Sequence, residues 1–486
     1  MTKFHIKTNR TFTFLRRNAW LFTILVAIGG LFQPRLGLLV IPVILALTLM
    51  SIFRGRYWCG NFCPHGSLYD RISLRFSRNT HIPEIFRSRI LRFAFFVFFG
   101  FMLTRKIISA FSALGSASFY DRLGFGFVAS YLMVLILGGI LSLLFAPRTW
   151  CHFCPMGFLQ TLGYRLGRKV APVTRTDTRI TALNPLMCHQ CGKCARVCPM
   201  QLSPYQEFRG DGQFDHEKCI RCSTCVENCP AGILSLSTPE AAKQQAPLTD
   251  LTGYRHRTTI AAVIGSVRSL PGDVMEYTFH TEEKLPPIEA GQFILVRVPG
   301  EASMFRAFSI SSFDRAAGTI RVTIKKAPMG YGSTRITESY RAGDPVELQG
   351  PMGRELVVDK DSRRLVLVAG GIGITPFLPI LEDLKNDPGQ VEQVTLIYGV
   401  NRSGEFLYQD ELDGIRKEYP AFHFVPVVAF EPDYPGEKGF VTDVLKKTDL
   451  TGAQIYMCGP LPMVSATLKV FRQMEIPEES IRYESA

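Results

Sequence analysis

The chain has 486 residues, enough for about three domains that each bury a core, and 47% of it is hydrophobic. Its formal charge of +13 raises nucleic acid as a partner, but 21 Lys and Arg face only 3 Asp and Glu through Lys169, leaving 34 of the 55 basic against 39 of the 42 acidic residues beyond it. Basic residues packed around apolar runs belong to a membrane protein, so nucleic acid is set aside. Of the 13 cysteines, all but Cys458 fall in pairs or fours, a distribution that argues for metal ligation in a reducing compartment and against a disulfide framework.

Four apolar runs are read as spanning helices: about Asn18–Phe32, Leu36–Phe53, Ile90–Leu103 and Phe125–Ala146. The first and third fall short of the 20-odd residues that cross a bilayer, so they are expected to begin within the flanking basic segments or to tilt little, with a buried or re-entrant helix as the alternative for the third. A signal peptide is the alternative for the first, but no small-residue cleavage site follows it. Lys3, Lys7, Arg10, Arg16 and Arg17 precede the first run, and eight arginines from Arg54 to Arg92 lie between the second and third. The opposite loops carry only Arg35, Arg105, Lys106 and Arg122. This asymmetry predicts a multi-pass protein of the cytoplasmic membrane with both termini and all redox domains on the cytoplasmic side.

Beyond the second run comes Trp58-Cys59-Gly60-Asn61-Phe62-Cys63-Pro64-His65-Gly66, and beyond the fourth comes Trp150-Cys151-His152-Phe153-Cys154-Pro155-Met156-Gly157. The two ends form an internal repeat, as expected of halves that face each other and pool four thiolates at one membrane surface. Cys59, Cys63, Cys151 and Cys154 suffice for a third iron–sulfur centre, with structural or zinc-binding thiols as the alternatives. His65 and His152 are spare ligands or hydrogen-bond donors. No histidine falls inside the apolar runs, which disfavours a haem ferric reductase. The pattern resembles the membrane polyferredoxins of nitrate and nitrous-oxide respiration, whose paired Cys-x-x-x-Cys-Pro elements precede a two-cluster ferredoxin. The pair Cys151/Cys154 departs from it, having two intervening residues instead of three.

Next, Cys188-x-x-Cys191-x-x-Cys194-x-x-x-Cys198-Pro199 is repeated as Cys219-x-x-Cys222-x-x-Cys225-x-x-x-Cys229-Pro230. In this spacing the fourth cysteine of each run crosses over. One [4Fe–4S] cluster is therefore assigned to Cys188, Cys191, Cys194 and Cys229, the other to Cys219, Cys222, Cys225 and Cys198. A zinc ribbon is the alternative. The segment resembles bacterial two-cluster ferredoxins.

Residues 231–253 have linker composition. Short β-rich runs then begin at Thr258, Met275, Phe293, Thr319 and Pro345, as in a small antiparallel barrel. Within it lie Arg306-Ala307-Phe308-Ser309, Gly330-Tyr331-Gly332-Ser333-Thr334 and Gly350-Pro351-Met352-Gly353. The apolar strand Arg364–Ala369 runs into Gly370-Gly371-Ile372-Gly373-Ile374-Thr375-Pro376, a turn whose glycines let backbone approach a pyrophosphate at a helix start. A later strand delivers Cys458-Gly459-Pro460. In this order the elements resemble the ferredoxin–NADP reductase superfamily. That resemblance implies that Arg306 neutralises the flavin pyrophosphate and Phe308, in place of the commoner Tyr, packs on the flavin. Ser309 lies near N5, and Gly332, Ser333 and Thr334 hold the second phosphate region of FAD, with Gly350 and Gly353 in the same site. It also implies that Gly370, Gly371, Gly373, Thr375 and Pro376 receive the nicotinamide dinucleotide, and that Cys458, with Gly459 and Pro460, lies beside the nicotinamide. Glu484-Ser485-Ala486 departs from the usual Glu-x-Phe ending.

The expectation is a multidomain chain: a four-helix transmembrane part (1–170), an α+β two-[4Fe–4S] ferredoxin domain (178–238), a linker (239–253), an antiparallel β-barrel flavin domain (254–358) and an α/β nucleotide-binding domain (359–486). A nicotinamide gives two electrons at once, a cluster takes one, and a flavin reconciles them. The expected activity is an NAD(P)H dehydrogenase passing electrons through FAD and the clusters to a membrane acceptor, a quinone or a partner redox protein. Reverse flow, and a redox-sensing or assembly factor for a respiratory complex, are the other readings. Asn401-Arg402-Ser403 leaves NADH and NADPH both open.

Overall fold

The computed structural model describes residues 4–485 except 113, 117, 171–174, 246–248, 302 and 329. The expected chain ends at 1 and 486 and the middle of the expected linker therefore lie outside the described residues. The chain divides into two compact units, one up to Thr249 and one from Asp250.

In the first unit four helices are long and apolar enough to cross a membrane: Phe14–Phe32, Pro34–Arg54, Arg89–Phe111 and Ser118–Leu144. The first and third, at 19 and 23 residues, are longer than the apolar runs suggested. Thr13 caps the first by accepting from the Arg16 amide, so the helix takes in Arg16 and Arg17. Ser88 caps the third through the amides of Ile90 and Leu91, and that helix continues through Arg105 and Lys106. Caps satisfy end amides that apolarity does not report. The second and fourth helices cross closely, since a Cβ on Gly37 would lie 2.0 Å from the Gly124 carbonyl oxygen. The third helix presents Ile90, Phe93, Val97, Phe98, Phe101 and Ile108 outward, all more than half exposed.

The rest of this unit is a three-stranded antiparallel sheet of β1 (Arg179–Ala182), β2 (Gln213–Phe214) and β3 (Leu234–Ser237), in order β2-β1-β3. Ile180 pairs with Phe214 on one side and Leu236 on the other, forming the floor beneath the cysteine loops. The expected linker contains a helix, Pro239–Gln245, which its Ala- and Gln-rich composition supports.

The second unit opens with a closed barrel of β4 (Thr258–Leu270), β5 (Val274–Thr281), β6 (Phe293–Arg297), β7 (Phe305–Asp314), β8 (Thr319–Lys325) and β9 (Pro345–Met352), in order β4-β5-β8-β7-β6-β9. A sheet follows, built from β10 (Arg364–Gly370), β11 (Gln393–Val400), β12 (Phe422–Val428), β13 (Glu437–Lys438), β14 (Gln454–Gly459) and β15 (Ile481–Ser485). All its pairings are parallel, and its order is β13-β12-β11-β10-β14-β15. Leu365, Leu367 and Ala369 enter the core on one face, and Val366 and Val368 the core on the other. Burial on both faces explains why β10 is a continuous apolar run.

Candidate redox sites

The Trp-Cys repeat folds as two similar turns. Cys63 precedes Pro64, which opens the helix Pro64–Leu68, and Cys154 precedes Pro155, which opens Pro155–Val170. Proline at a helix start costs no hydrogen bond. Cys63 Sγ accepts the Gly66 amide at 3.4 Å, and Cys154 accepts the amides of Gly157 and Met156. Cys59, Cys63, Cys151 and Cys154 all line one cavity of about 110 Å³, shared with Arg56, Arg148, Trp58, Trp150 and His65. The shortened spacing in the second pair thus does not keep the four apart. Gln160 Nε2 donates to Cys59 Sγ at 3.2 Å. Arg56 Nη2 is 3.8 Å from the same sulfur, and Arg148 Nη1 is 3.7 Å from Cys151 Sγ. Burial pushes the Cys154 thiol up to about 12, with Cys151 and Cys59 adding to it. His65 packs against Tyr131 with the rings tilted by 54° and their centroids 4.6 Å apart, and His152 is buried with neither ring nitrogen hydrogen-bonded.

In the ferredoxin segment, Cys188, Cys191, Cys194 and Cys229 line a second cavity with Tyr205 and Phe208, the crossed set expected from the spacing. The two loops share a backbone form. Gln190 and Arg221, two residues after the first cysteine of each run, are both left-handed, as are Gly192 and Ser223. These turns send the Gln190 amide to Cys188 Sγ at 3.4 Å and the Arg221 amide to Cys219. In the other set, burial and the sulfurs of Cys222 and Cys219 push Cys198 up to about 12. Cys225 is raised by burial, then by Cys222, Cys219 and Cys198. Such shifts mark thiols gathered where only a metal would make thiolates cheap. Among the described residues no three His, Cys, Asp or Glu groups stand at the spacing of a single bound ion; the cysteine sets are wider gatherings.

One ferredoxin set adjoins the helix-bundle set. Cys222, Cys198, Cys59 and Cys151 share one packed cluster, and a Cβ on Gly60 would lie 2.0 Å from the Ile220 carbonyl oxygen and 3.1 Å from Cys222 Cβ. Asn61 Nδ2 donates to the Arg221 carbonyl at 3.2 Å.

In the second unit, Arg306, Phe308 and Ser309 lie on β7, a strand the sequence reading missed because its apolar alternation is broken by this element. The helix Tyr331–Ser339 brings Gly332 against Arg306, where a Cβ would meet the guanidinium Nε at 2.3 Å. Ser333 Oγ accepts the Ala327 amide at 3.1 Å, and Thr334 lies on the first turn of that helix. Gly350 and Gly353 flank the end of β9, and Phe293 covers Gly353. The arrangement is a cation beside a helix start, suited to a pyrophosphate.

In the parallel sheet, β10 lies between β11 and β14, the point where strand order reverses and such sheets bind ligands beyond their strand ends. Ala369 and Cys458 are in register there. Gly370 and Gly371 lead into a 3-10 turn, Gly371–Ile374. Thr375 Oγ1 donates to the Ile372 carbonyl, and Pro376 is the cap of helix Phe377–Asn386, one position earlier than the first-turn place expected. A Cβ on Gly373 would lie 2.2 Å from the Cys458 carbonyl oxygen, and one on Gly459 would strike Met463. Pro460 turns the chain into the helix Leu461–Gln473. Burial, then Glu484, pushes the Cys458 thiol up. Glu484 is in register with Cys458 on β15, and burial, with Glu355, pushes its carboxyl up to about 7. Sequence reading passed over Glu484 as a terminal residue, although the Glu-x-Phe comparison pointed to it.

Comparison with known proteins matches five segments to four domain families. Residues 262–355 match the oxidoreductase FAD-binding domain and residues 367–469 the oxidoreductase NAD-binding domain. Residues 187–233 match a 4Fe-4S dicluster domain, and residues 36–83 and 128–173 a 4Fe-4S binding domain. The toluate 1,2-dioxygenase electron transfer component of Pseudomonas putida is 35% identical over 198 residues, 40% of this chain and 57% of the relative. The reductase component of propane 2-monooxygenase from Rhodococcus jostii (strain RHA1) is 26% identical over 308 residues, 61% of this chain and 80% of the relative. The crystal structure of an Amycolatopsis cytochrome P450 reductase aligns with a TM-score of 0.43 and 27% identity, over 47% of this chain and 70% of that one. The chain thus spans 57% of the length of the first relative. The domain matches define the class: an oxidoreductase carrying FAD, iron–sulfur clusters and an NAD(P)H site.

Proposed function

We propose that this chain is a membrane-embedded electron-transfer oxidoreductase that takes electrons from cytoplasmic NAD(P)H and delivers them through its cysteine sets to an acceptor in or at the bilayer, a quinone or a partner redox protein. The observation that carries this is the gathering of Cys59, Cys63, Cys151 and Cys154 around one cavity at the ends of helices apolar enough to span a membrane. Flavin, when bound, supplies the exchange between two-electron hydride chemistry and the single electrons that clusters take. The chain's own residues do the rest. Arg306 balances the flavin pyrophosphate, Phe308 and Ser309 hold the isoalloxazine, and the helix start at Gly332 to Thr334 holds the second phosphate. Gly350 and Gly353 leave space at the flavin. The glycine turn Gly370–Gly373, with Thr375 and Pro376, takes the dinucleotide, and Cys458, backed by Gly459 and Pro460, sets the nicotinamide.

The set around Cys188 is the distal one, the set around Cys222 adjoins the helix bundle, and the set at Cys59 is last. The outward apolar face of Arg89–Phe111 supports lipid as its surroundings, since water would leave that area uncompensated. The charge asymmetry of the loops supports cytoplasmic redox domains, and the paired Cys-Pro turns support likeness to membrane polyferredoxins.

A second reading follows from the names of the relatives, which are electron-transfer and reductase components of oxygenases: the acceptor would then be a partner oxygenase. Cys59→Ser with Cys151→Ser separates the two. On our reading the variant loses about four irons per chain, keeps FAD and its reduction by NAD(P)H, and no longer reduces a membrane quinone. Full iron content with undiminished quinone reduction would leave the helices as an anchor, and wild-type protein that reduces a partner oxygenase but no quinone would favour the second reading. Reduction of the centres without turnover until another protein is added would instead support a sensing or assembly role.

A further inference from the structure

Four arginines in the first unit, Arg10, Arg16, Arg56 and Arg148, are each at most 3% exposed. One buried carboxylate serves three of them. Asp70 Oδ2 is 2.8 Å from Arg16 Nη2 and 2.7 Å from Arg148 Nη2, and its Oδ1 is 3.7 Å from Arg10 Nη1. Arg56 pairs with no carboxylate among the described residues. Its Nη2 donates to the Cys151 carbonyl at 3.0 Å and lies 3.8 Å from Cys59 Sγ, while its Nε has no partner. Arg148 mirrors it, donating to the Cys59 carbonyl at 3.0 Å and reaching Cys151 Sγ at 3.7 Å.

Four buried cations against one buried anion are not a stable interior, because an unpaired buried charge is expensive. Among the described residues, the ionisable groups that act on Arg56 as counter-charges are Cys59, Cys151 and Cys154. Four neutral thiols would leave Arg56 without a counter-charge, whereas four thiolates around a cubane core make a net anion in both oxidation states. Reduction adds one further negative charge, so a fixed cation at the sulfurs favours the reduced state more than the oxidised one.

We propose that Arg56, with Arg148 opposite, is the built-in counter-charge of the Cys59, Cys63, Cys151 and Cys154 centre, a positioning residue that raises its reduction potential so that it draws electrons from the Cys222 set. This rests on the reading of those four cysteines as a third iron–sulfur site. The step is a one-electron exchange: the Cys222 set is oxidised by one electron, the Cys59 set is reduced by the same electron, and no bond or proton changes place. Arg16 ties the two together, since its Nη1 donates to the Cys222 carbonyl at 2.7 Å while its other nitrogen holds Asp70 and, through it, Arg148.

The test is a redox titration of the full-length holoprotein in lipid nanodiscs, followed by electron paramagnetic resonance, with iron and FAD assayed in each sample. Arg56→Gln should lower the midpoint of the third centre so that its reduced-to-oxidised ratio at a fixed potential falls about tenfold, about 59 mV for one electron. The midpoint of the Cys222 set, whose Cys219 also feels Arg56, should fall by less, the midpoint of the Cys188 set and the FAD content should not move, and Arg56→Lys should recover most of the shift. An Arg56→Gln protein with full iron and an unmoved midpoint overturns the proposal. Should Arg56→Gln lose the third centre's iron, Arg56→Lys decides: retention of the centre upholds the charge role, and equal loss shows that shape rather than charge matters. A wild-type protein with only about eight irons and two signals would instead sink the underlying third-centre reading, an outcome visible before any variant is made.

Discussion

Asp70→Asn removes one negative charge from beneath three guanidiniums and leaves side-chain volume nearly unchanged. In the native fold, burial alone would raise the Asp70 carboxyl, but Arg148, Arg16 and Arg10 overcome it and hold the group far below the ordinary carboxylate range. Because the folded value is depressed, the stability it contributes is fully present above the unfolded value near pH 4 and is lost as pH falls below it. At neutral pH the whole contribution is at stake. Asparagine keeps an acceptor oxygen, so one hydrogen bond to Arg148 or Arg16 survives, but the buried cations lose their shared anion. Breaking a buried pair from one side costs about 3–5 kcal/mol. The assay is guanidinium unfolding of the detergent-solubilised holoprotein at pH 7, with circular dichroism reporting the helical first unit and flavin fluorescence the second. The helical transition should move to lower denaturant while the flavin transition stays, because Asp70 lies wholly within the first unit. Adding Arg10→Gln should recover about 0.5–3 kcal/mol of the loss, since the double variant restores the charge difference. A helical transition unchanged by Asp70→Asn, or a double variant whose loss equals the sum of the singles, would refute the charge argument.

Cys458→Ala should slow flavin reduction by NAD(P)H about tenfold, equivalent to about 1.4 kcal/mol of barrier, in stopped flow, with FAD content normal; unchanged reduction would make Cys458 a packing residue. Gly373→Ala places a methyl 2.2 Å from the Cys458 carbonyl oxygen, where backbone cannot yield. It should destabilise the second unit by about 1–3 kcal/mol and weaken nucleotide binding, read by flavin-monitored unfolding and by titration with NAD(P)H. Glu484, pushed up to about 7 by burial, binds its proton more tightly folded than unfolded, so stability falls as pH rises from the ordinary carboxylate range through about 7. Glu484→Gln should abolish that fall between pH 5 and 8 in the flavin transition, and persistence of the slope would assign it to another group.

The cysteine sets were legible because ligand spacing is a one-dimensional fact: the offset that repeats Cys188 as Cys219 also repeats the left-handed turns at Gln190 and Arg221. The barrel and the parallel sheet were legible for a similar reason, since β8 and β12 announce themselves by apolar content and bounding turns. What escaped were elements whose cause lies elsewhere in the chain. Strand β7 escaped because a strand that presents Arg306 and Ser309 to a site cannot keep its alternation clean. The first span does begin within the basic segment, as its short apolar run allowed, but the burial of Arg16 against Asp70 was not legible there.

Arg16 shows where the sequence carries a signal in a form that pattern reading passes over. Through Lys169 there are three acidic residues, Asp70, Glu84 and Asp121, among 21 basic ones, and a loop charge rule counts every arginine alike as exposed. Two of the tail residues counted for topology, Arg10 and Arg16, and the loop residues Arg56 and Arg92 are buried, so part of the positive excess belongs to the interior. Lys7, Arg17, Arg71, Arg75, Arg78, Arg87 and Arg89 are all at least partly exposed, and only such residues can count as loop charge. The buried remainder asks a different question, namely what anion the interior holds. With Asp70 the one buried carboxylate among the described residues up to Lys169, and with four nearby cysteines, the charge balance favours the proposed thiolates. Counting buried charge against available counter-charge therefore supports the proposed third centre by a route independent of the Cys151/Cys154 spacing.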